Sequence, residues 1–130
     1  MDKRSYILHK IPKRSGGFRV IAEPRPQLKA RQKQILKWLE ARGIRASPYA
    51  HGFVRGRSTV THARLHAGKR AVLKVDLKDC FGSTKASMIH AALRRVGVDG
   101  VAAKEIVETC TLDGALPQGA QARHRLGRRR

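Results

Sequence analysis

Acidic residues are scarce in this sequence, and their shortage sets the first limit on function. Its 130 residues include 9 Asp and Glu against 29 Lys and Arg, which leaves a formal net charge of +20. A compact domain holds so much charge of one sign only against strong self-repulsion, which a polyanionic partner would relieve. The basic residues are spread among apolar ones along the whole chain and do not form a separate tail. Nucleic acid is therefore the predicted partner, although charge alone does not distinguish an enzyme from a ribosomal or chromatin-type protein.

Cysteines, aromatic residues and long apolar runs are also scarce. Cys80 and Cys110 are too few and too far apart for a disulfide framework or a C-x-x-C metal site, so both are expected in the core. Only 5% of the residues are aromatic, while the 41% apolar content supports one modest domain. No apolar run approaches the roughly 18 residues of a membrane span, and the first residues lack a secretion signal. These absences predict a soluble, cytoplasmic protein that binds no membrane.

Short β-prone runs and helical patterns predict an α+β fold. Runs at 6–11 and 18–22, separated by Gly16-Gly17, predict a hairpin. Helices are predicted at 27–42 with Gly43 as its stop, at 59–67 with Ser58 as its cap, at 84–96 with Ser83 as its cap, and at 101–110 with Asp99 as its cap. A buried strand is predicted at 71–77 and a turn at Asp113-Gly114. The side chains expected on the buried helix faces are Leu28, Ile35, Leu36, Leu39, Met88, Ile89, Ala92, Leu93, Val96, Val101, Ile106, Val107 and Cys110.

The predicted strand at 71–77 runs into a carboxylate, Asp76. A carboxylate at the end of a buried strand is costly unless a cation meets it, and a divalent metal carrying nucleotide phosphates would do so. Spacing alone favours the simpler interpretation, in which Asp76 caps a helix or belongs to a turn.

Four stretches taken together point to a family. They are Ile-Pro-Lys-Arg-Ser-Gly-Gly-Phe-Arg-Val-Ile at 11–21, Ala-His-Gly-Phe-Val-Arg-Gly-Arg-Ser at 50–58, the strand and turn at 71–83, and Leu-Pro-Gln-Gly-Ala at 116–120. In this order they resemble the fingers and early palm of a bacterial reverse transcriptase of the retron or group II intron type, over residues 5–120.

The resemblance implies a partial right-hand polymerase fold, with fingers, the start of the palm and an incomplete palm sheet. Residues 1–70 would form the fingers, as a hairpin, a helix, a loop and a short helix. Residues 71–120 would form the start of the palm and the return to the fingers. Residues 121–130 contain five Arg and no acid, and are expected to be a disordered or frame-shifted tail. The family's apolar helix does not follow at this point, so we hypothesise that the reading frame departs near Ala120.

The family's reaction is RNA-templated addition of deoxynucleotides to a primer, with Mg²⁺ ions held by a cluster of carboxylates. By resemblance, Asp76 is a catalytic metal ligand and Leu77 contributes its backbone carbonyl oxygen. The remaining two acids of the family come from a Tyr-x-Asp-Asp string, which this sequence lacks. This chain is therefore expected to be a truncated reverse transcriptase that is inactive alone.

The same resemblance assigns substrate contacts. Lys13 and Arg19 would grip the triphosphate, Asp79 would lie beside it through its backbone, Phe81 would exclude a 2′-hydroxyl, and Gln118 and Gly119 would lie against the nucleotide and the template base pair. Arg55, Arg57 and Ser58 would contact template phosphates. The simpler interpretations stay open: a solvated hairpin face for Lys13 and Arg19, a core position for Phe81, and an ordinary turn at 117–119.

The expected partners are RNA or an RNA/DNA primer-template and deoxynucleoside triphosphates. A second copy of the chain, or a separate polypeptide that supplies the missing palm, would cover the surface left exposed. The alternative function is a non-enzymatic basic RNA-binding module, either a maturase-like remnant or an unrelated small fold. His62 and His66 are spaced i, i+4, but with no third ligand apparent they are interpreted as surface or nucleic-acid-facing residues, and His51 as structural.

Overall fold

A two-stranded antiparallel hairpin opens the fold. The computed structural model describes residues 5–118. In it, strand β1 (Tyr6–Pro12) pairs with strand β2 (Phe18–Pro24), from Tyr6 opposite Pro24 to Pro12 opposite Phe18. Gly16 and Gly17 make the turn with φ of 88° and 75°, which glycine adopts without strain. The predicted hairpin and its turn are confirmed.

Five helices follow the hairpin within the described residues. They are α1 (Pro26–Ala41), α2 (Thr59–Arg64), α3 (Cys80–Ser83), α4 (Ala86–Arg95) and α5 (Gly100–Cys110). Gly43 stops α1 as predicted, with φ of 73° and its N–H donating to the carbonyl of Glu40. Ser58 caps α2 as predicted, in a reciprocal capping box with Thr61, although the helix is shorter than expected. The strongest local signals therefore placed α1, α2 and α5 correctly.

The predicted helix at 84–96 begins later than its sequence pattern suggests. Ser83 is the last residue of α3 and not the cap of α4, so that prediction is wrong. The chain returns past this point: the N–H of Ala86 donates to the carbonyl of Gly114 at 2.9 Å, and the N–H of Leu116 donates to the carbonyl of Thr84 at 3.0 Å. The second of these bonds occupies the Thr84 carbonyl, which would accept from the N–H of Met88 in a helix that began at Thr84.

The core consists of two small clusters, one at the start of α1 and the other toward its end. Tyr6, Ala22 and Leu28 form the first, with Leu112 against them, and Val98, Ala103 and Ile106 form the second. Helix α5 packs against both α4 and α1. Five side chains predicted to be buried are exposed: Leu36, Met88, Ala92, Val96 and Val101. Each lies on a helix face that no other element of the described chain covers.

The predicted buried strand at 71–77 is the main error of the sequence-based prediction. These residues form no strand, and the side chains of Leu73, Val75 and Leu77 are 88%, 73% and 69% exposed. Alternation is nevertheless present, because these three apolar residues alternate with Lys74 and Asp76. A strand also needs a neighbour to satisfy its backbone groups, and no strand among residues 5–118 pairs with this segment.

The two cysteines differ in their exposure to solvent. Cys80 is exposed, so its predicted core position is wrong, because the segment before it is not covered. Cys110 lies partly buried beside Val98 and Ala103, and burial raises the pKa of its thiol. No helix within residues 5–118 has both the length and the apolar character to cross a membrane.

Ile106 and Val101 provide a matched test of this packing, because both lie on α5 but only Ile106 is buried. Ile106→Ala is expected to lower the free energy of unfolding by about 2–4 kcal/mol, through lost contacts and a cavity. Val101, 82% exposed, is the control, and Val101→Ala is expected to change that free energy by at most about 0.5 kcal/mol. Urea denaturation followed by circular dichroism measures both. Equal losses would contradict the packing described.

Asp99 caps α5, and its carboxylate makes the stability of the chain depend on pH. Its Oδ1 accepts from the N–H of Ala102 at 2.9 Å, and this bond lowers the pKa of the carboxyl below its usual value. Because the charged form is favoured in the folded chain, its stabilisation is present at neutral pH and is lost as pH falls below about 4. The stability difference between the native chain and Asp99→Ala should therefore shrink between pH 6 and pH 3. Asp99→Asn, which caps without titrating, is the control, and a difference independent of pH would refute the assignment.

Candidate functional site

Backbone hydrogen bonds join the stretch at 116–120 to the hairpin and to the residue that follows the stretch at 71–83. The N–H of Ala22, on β2, donates to the carbonyl of Gln118 at 3.1 Å. The N–H of Leu116 donates to the carbonyl of Thr84, directly after α3. The return segment, residues 112–118, therefore contacts the hairpin at one end and the α3–α4 junction at the other.

The hairpin carries the two predicted triphosphate contacts. Lys13 lies at the start of the turn, where its N–H donates to Gly17 and its carbonyl accepts from Gly16, so its backbone is held while its side chain stays exposed. Arg19 lies opposite Ile11 on β2 and is also exposed. Gln118 is exposed at the joined end of the return segment. Gly119 lies outside the described residues.

The turn into α3 has an unusual backbone at Asp79. Its φ of 49° and ψ of 44° are left-handed, and its carbonyl accepts from the N–H of Ser83 at 2.9 Å. The Asp79 carboxylate folds back over the helix, where a Cβ on Gly82 would come within 2.5 Å of its Oδ2. Phe81 lies in this helix and is half-buried. The sequence analysis did not identify the need for glycine at position 82. A Gly three residues after an Asp in a polar turn is the signal that could have indicated it.

Asp76 and Leu77 lie in the exposed segment before this turn. Mg²⁺ needs near-octahedral oxygen coordination, and polymerase sites use several carboxylates. Within the described part of the chain, no three His, Cys, Asp or Glu side chains form a group that could hold a metal ion. The residues present therefore fit a magnesium site only in part, as one carboxylate and one backbone carbonyl, and they do not form a catalytic centre by themselves.

Two of the predicted template contacts, Arg57 and Ser58, form hydrogen bonds within the chain instead. Arg57 donates from Nη1 to the carbonyl of Ser47 at 2.6 Å and also to the carbonyl of Ala50. Ser58 is occupied as the cap of α2. Arg55 is exposed, and these bonds leave it as the best placed of the three for a phosphate.

Two aromatic side chains on the same loop were missed as candidate binding residues. Tyr49 and Phe53 are both exposed, and Phe53 has a left-handed φ of 60°. Exposed rings beside an arginine are suited to stacking on unpaired bases. Aromatic residues among glycines in a basic loop are the sequence signal that could have identified them.

Comparison with known proteins shows the family to which these stretches belong. Residues 11–125 match the family model described as reverse transcriptase (RNA-dependent DNA polymerase). The chain is 45% identical over 94 residues to the retron Mx65 reverse transcriptase of Myxococcus xanthus, and 43% identical over 93 residues to the retron Mx162 reverse transcriptase of the same organism. It is 34% identical over 94 residues to the retron Ec83 reverse transcriptase of Escherichia coli.

Each of these matches covers 72% of this chain, but only 22%, 19% and 30% of the respective relatives. The chain thus spans less than a third of the length of these curated relatives. The matched region contains the hairpin turn, β2, the loop at 47–58, the segment at 71–83 and the return segment. This chain belongs to the reverse transcriptase family.

Proposed function

We propose that this chain supplies the nucleotide-gripping and template-contacting part of a retron-type reverse transcriptase, and that its 130 residues bind nucleic acid without extending a primer. The observation that carries the proposal is the hydrogen bond from Ala22 to Gln118, because it joins the hairpin of Lys13 and Arg19 to the return segment. The family match and the retron relatives support the reaction class. The net charge of +20 supports the partner class.

In this proposal each exposed group has a role that its chemistry suits. Lys13 offers a mobile ammonium and Arg19 a planar fork with paired N–H donors, both suited to phosphate oxygens. Asp79 holds the turn beside the triphosphate, and Phe81 lies under the sugar. Gln118 and Gly119 would border the nucleotide, and Arg55 would contact template phosphate, with Arg57 and Ser58 shaping its loop.

The missing carboxylates account for the proposed inactivity. Asp76 and the Leu77 carbonyl would contribute to a Mg²⁺ site that further carboxylates must complete, and the ion would supply charge neutralisation at the phosphates. The segment at 71–77 would become a strand when a palm polypeptide pairs with it and covers Leu73, Val75 and Leu77. Without that polypeptide, the same apolar surface would favour self-association.

Primer extension with Mg²⁺ and deoxynucleotides tests the enzymatic part. The 130-residue chain is expected to give no incorporation above the Asp76→Ala variant, because one carboxylate does not assemble the metal site. A separately purified palm polypeptide from a retron reverse transcriptase, carrying the Tyr-x-Asp-Asp string, is expected to restore incorporation.

Two variants test whether the restored activity depends on the carboxylate of Asp76. Asp76→Asn is expected to abolish it, whereas Glu108→Gln, a carboxylate change on the exposed face of α5, should leave it intact. Incorporation by the chain alone that Asp76→Ala removes would overturn the claim of inactivity. Restored activity that Asp76→Asn does not affect would overturn the role of Asp76.

A non-enzymatic RNA-binding module is the second candidate, favoured by Arg55, Tyr49 and Phe53 on one exposed loop. The binding constant for single-stranded RNA is measured by fluorescence anisotropy, and its logarithm is expected to fall linearly with the logarithm of salt concentration. Arg55→Ala should reduce that slope by about 0.7, the value for one single-strand phosphate contact. Lys104→Ala removes an equal charge from the exposed face of α5 and is the control. Identical slopes for the two variants would exclude Arg55 from the interface.

A further inference from the structure

Helix α1 carries three lysines in a line on its surface. Lys29, Lys33 and Lys37 follow one another at four-residue intervals between Pro26 and Ala41. Each interval turns the helix by about 40° beyond a full turn and advances it by about 6 Å, so the three side chains share one face over about 12 Å. All three are exposed, and none of them forms an ion pair within residues 5–118. We call this surface the lysine face.

The opposite side of α1 is the one that packs against the rest of the chain. Leu28 lies in the first core cluster, while Ile35 and Leu39 lie against the second. Trp38, the one aromatic residue of α1, also lies against the second cluster, and the Arg42 guanidinium covers its ring at 3.7 Å. The lysine face therefore points away from the described core and carries no aromatic ring.

The charges on α1 oppose the stability of the helix that carries them. Like charges four residues apart on a helix repel each other. The helix dipole favours acids in the first turn and bases in the last, but the first turn here contains Lys29 and no acid, and the last turn contains Glu40, the one acid of α1. A partner that brings phosphates to the lysine face would offset the repulsion and neutralise Lys29 at the positive end of the dipole.

The side chains of the lysine face suit the backbone of a nucleic-acid duplex. Ammonium groups on long flexible chains bind phosphate oxygens, whereas unpaired bases are bound by stacking on rings, which this face lacks. A duplex hides its bases and carries about one charge per 1.7 Å, twice the density of a single strand. Leu36 is the one large apolar side chain of α1 that is exposed, which is too little apolar surface for a membrane-binding helix.

We propose that the lysine face binds the phosphate backbone of a base-paired segment of RNA. Paired RNA is recognised mainly through its shape, phosphates and 2′-hydroxyls, so contacts to three phosphates require no exposed base. The choice of RNA rests on the proposed function, because the family model is that of an RNA-dependent DNA polymerase. The chain would then hold RNA at two surfaces, with unpaired bases at the loop of Tyr49 and Phe53 and a paired segment at α1.

Fluorescence anisotropy with a labelled RNA duplex of about 16 base pairs tests the lysine face on the full chain. The triple variant Lys29→Gln/Lys33→Gln/Lys37→Gln removes three charges and introduces residues of similar helix propensity. Its binding constant for the duplex is expected to fall by about tenfold or more at physiological salt. The slope of the logarithm of this constant against the logarithm of salt concentration should decrease in magnitude by about 2.7, since each duplex phosphate contact contributes about 0.9.

A second triple variant is the matched control. Lys69→Gln/Arg95→Gln/Lys104→Gln removes the same charge from exposed positions outside α1 and should change the slope for the duplex by less than about 1. The two triple variants should bind an unstructured single strand of RNA with equal affinity, because its contacts lie at the loop of Arg55. Thermal unfolding of the α1 variant, followed by circular dichroism, should occur at the native temperature or above it, since the substitutions remove repulsion.

Equal losses of duplex binding in the two triple variants, or a lower unfolding temperature of the α1 variant, would overturn the lysine face as a binding surface. Equal losses of duplex and single-strand binding in the α1 variant would overturn the assignment to paired RNA, as would tighter native binding to a DNA duplex of the same sequence. Poly-glutamate that competes as well as unlabelled RNA duplex would indicate an acidic protein as the partner and overturn the proposal.

Failure of this inference and failure of the proposed function give different results. A native chain that binds neither the single strand nor the duplex would overturn both. Single-strand binding through Arg55, with no effect of the lysine substitutions on duplex binding, would overturn the lysine face alone.

Discussion

Pairing of the backbone decides which parts of this chain form a defined site. The return segment satisfies its N–H and carbonyl groups through Gly114, Leu116 and Gln118, and it thereby joins the hairpin to the α3–α4 junction. The segment at 71–77 has the apolar alternation of a strand but no strand to pair with within residues 5–118. The nucleotide-gripping half of the proposed site is therefore assembled in this chain, while the segment that carries Asp76 is not.

The charge of the chain is likewise balanced only in part by its own residues. Ion pairs such as Arg31 with Glu105 are exposed and contribute at most about 1 kcal/mol each. With 29 basic residues and 9 acidic ones, internal pairing leaves most of the positive charge uncompensated. Phosphates of a bound strand would compensate it at the exposed hairpin and at the loop of Arg55, where the proposed substrate contacts lie.

Local sequence signals were sufficient to predict the elements whose ends are set by contacts between residues close in sequence. The hairpin followed from Gly16-Gly17, the end of α1 from Gly43, and the start of α5 from Asp99, each through contacts within a few residues. The start of α4 could not be predicted, because Leu116, about thirty residues away, binds the Thr84 carbonyl that an earlier helix would use as an acceptor. The helix faces of Leu36 and Val101 show the same limit, since an apolar residue is buried only where another element covers it.

The sequence predicted residues of the candidate site where a motif names them, but not the contacts that depend on the fold. Lys13, Arg19 and Gln118 were proposed from their motifs, and the fold joins the elements that carry them, while their contacts with a nucleotide stay predictions. The loop roles of Arg57 and Ser58, and the approach of His51 to His62, depend on hydrogen bonds that only the folded chain contains. The burial of 71–77 was predicted from its apolar residues, but the partner that would bury it is not among the described residues.

Hydrogen exchange of individual amides, measured by NMR on the dilute 130-residue chain, tests this division most directly. The amides of Ala22, Ala86 and Leu116 are expected to be protected, because each donates to a distant carbonyl. The amides of 71–77 are expected to exchange at nearly the rate of an unfolded peptide. Protection of 71–77 comparable to that of β1 and β2 would contradict the account, since it would mean that this chain already contains the strand's partner.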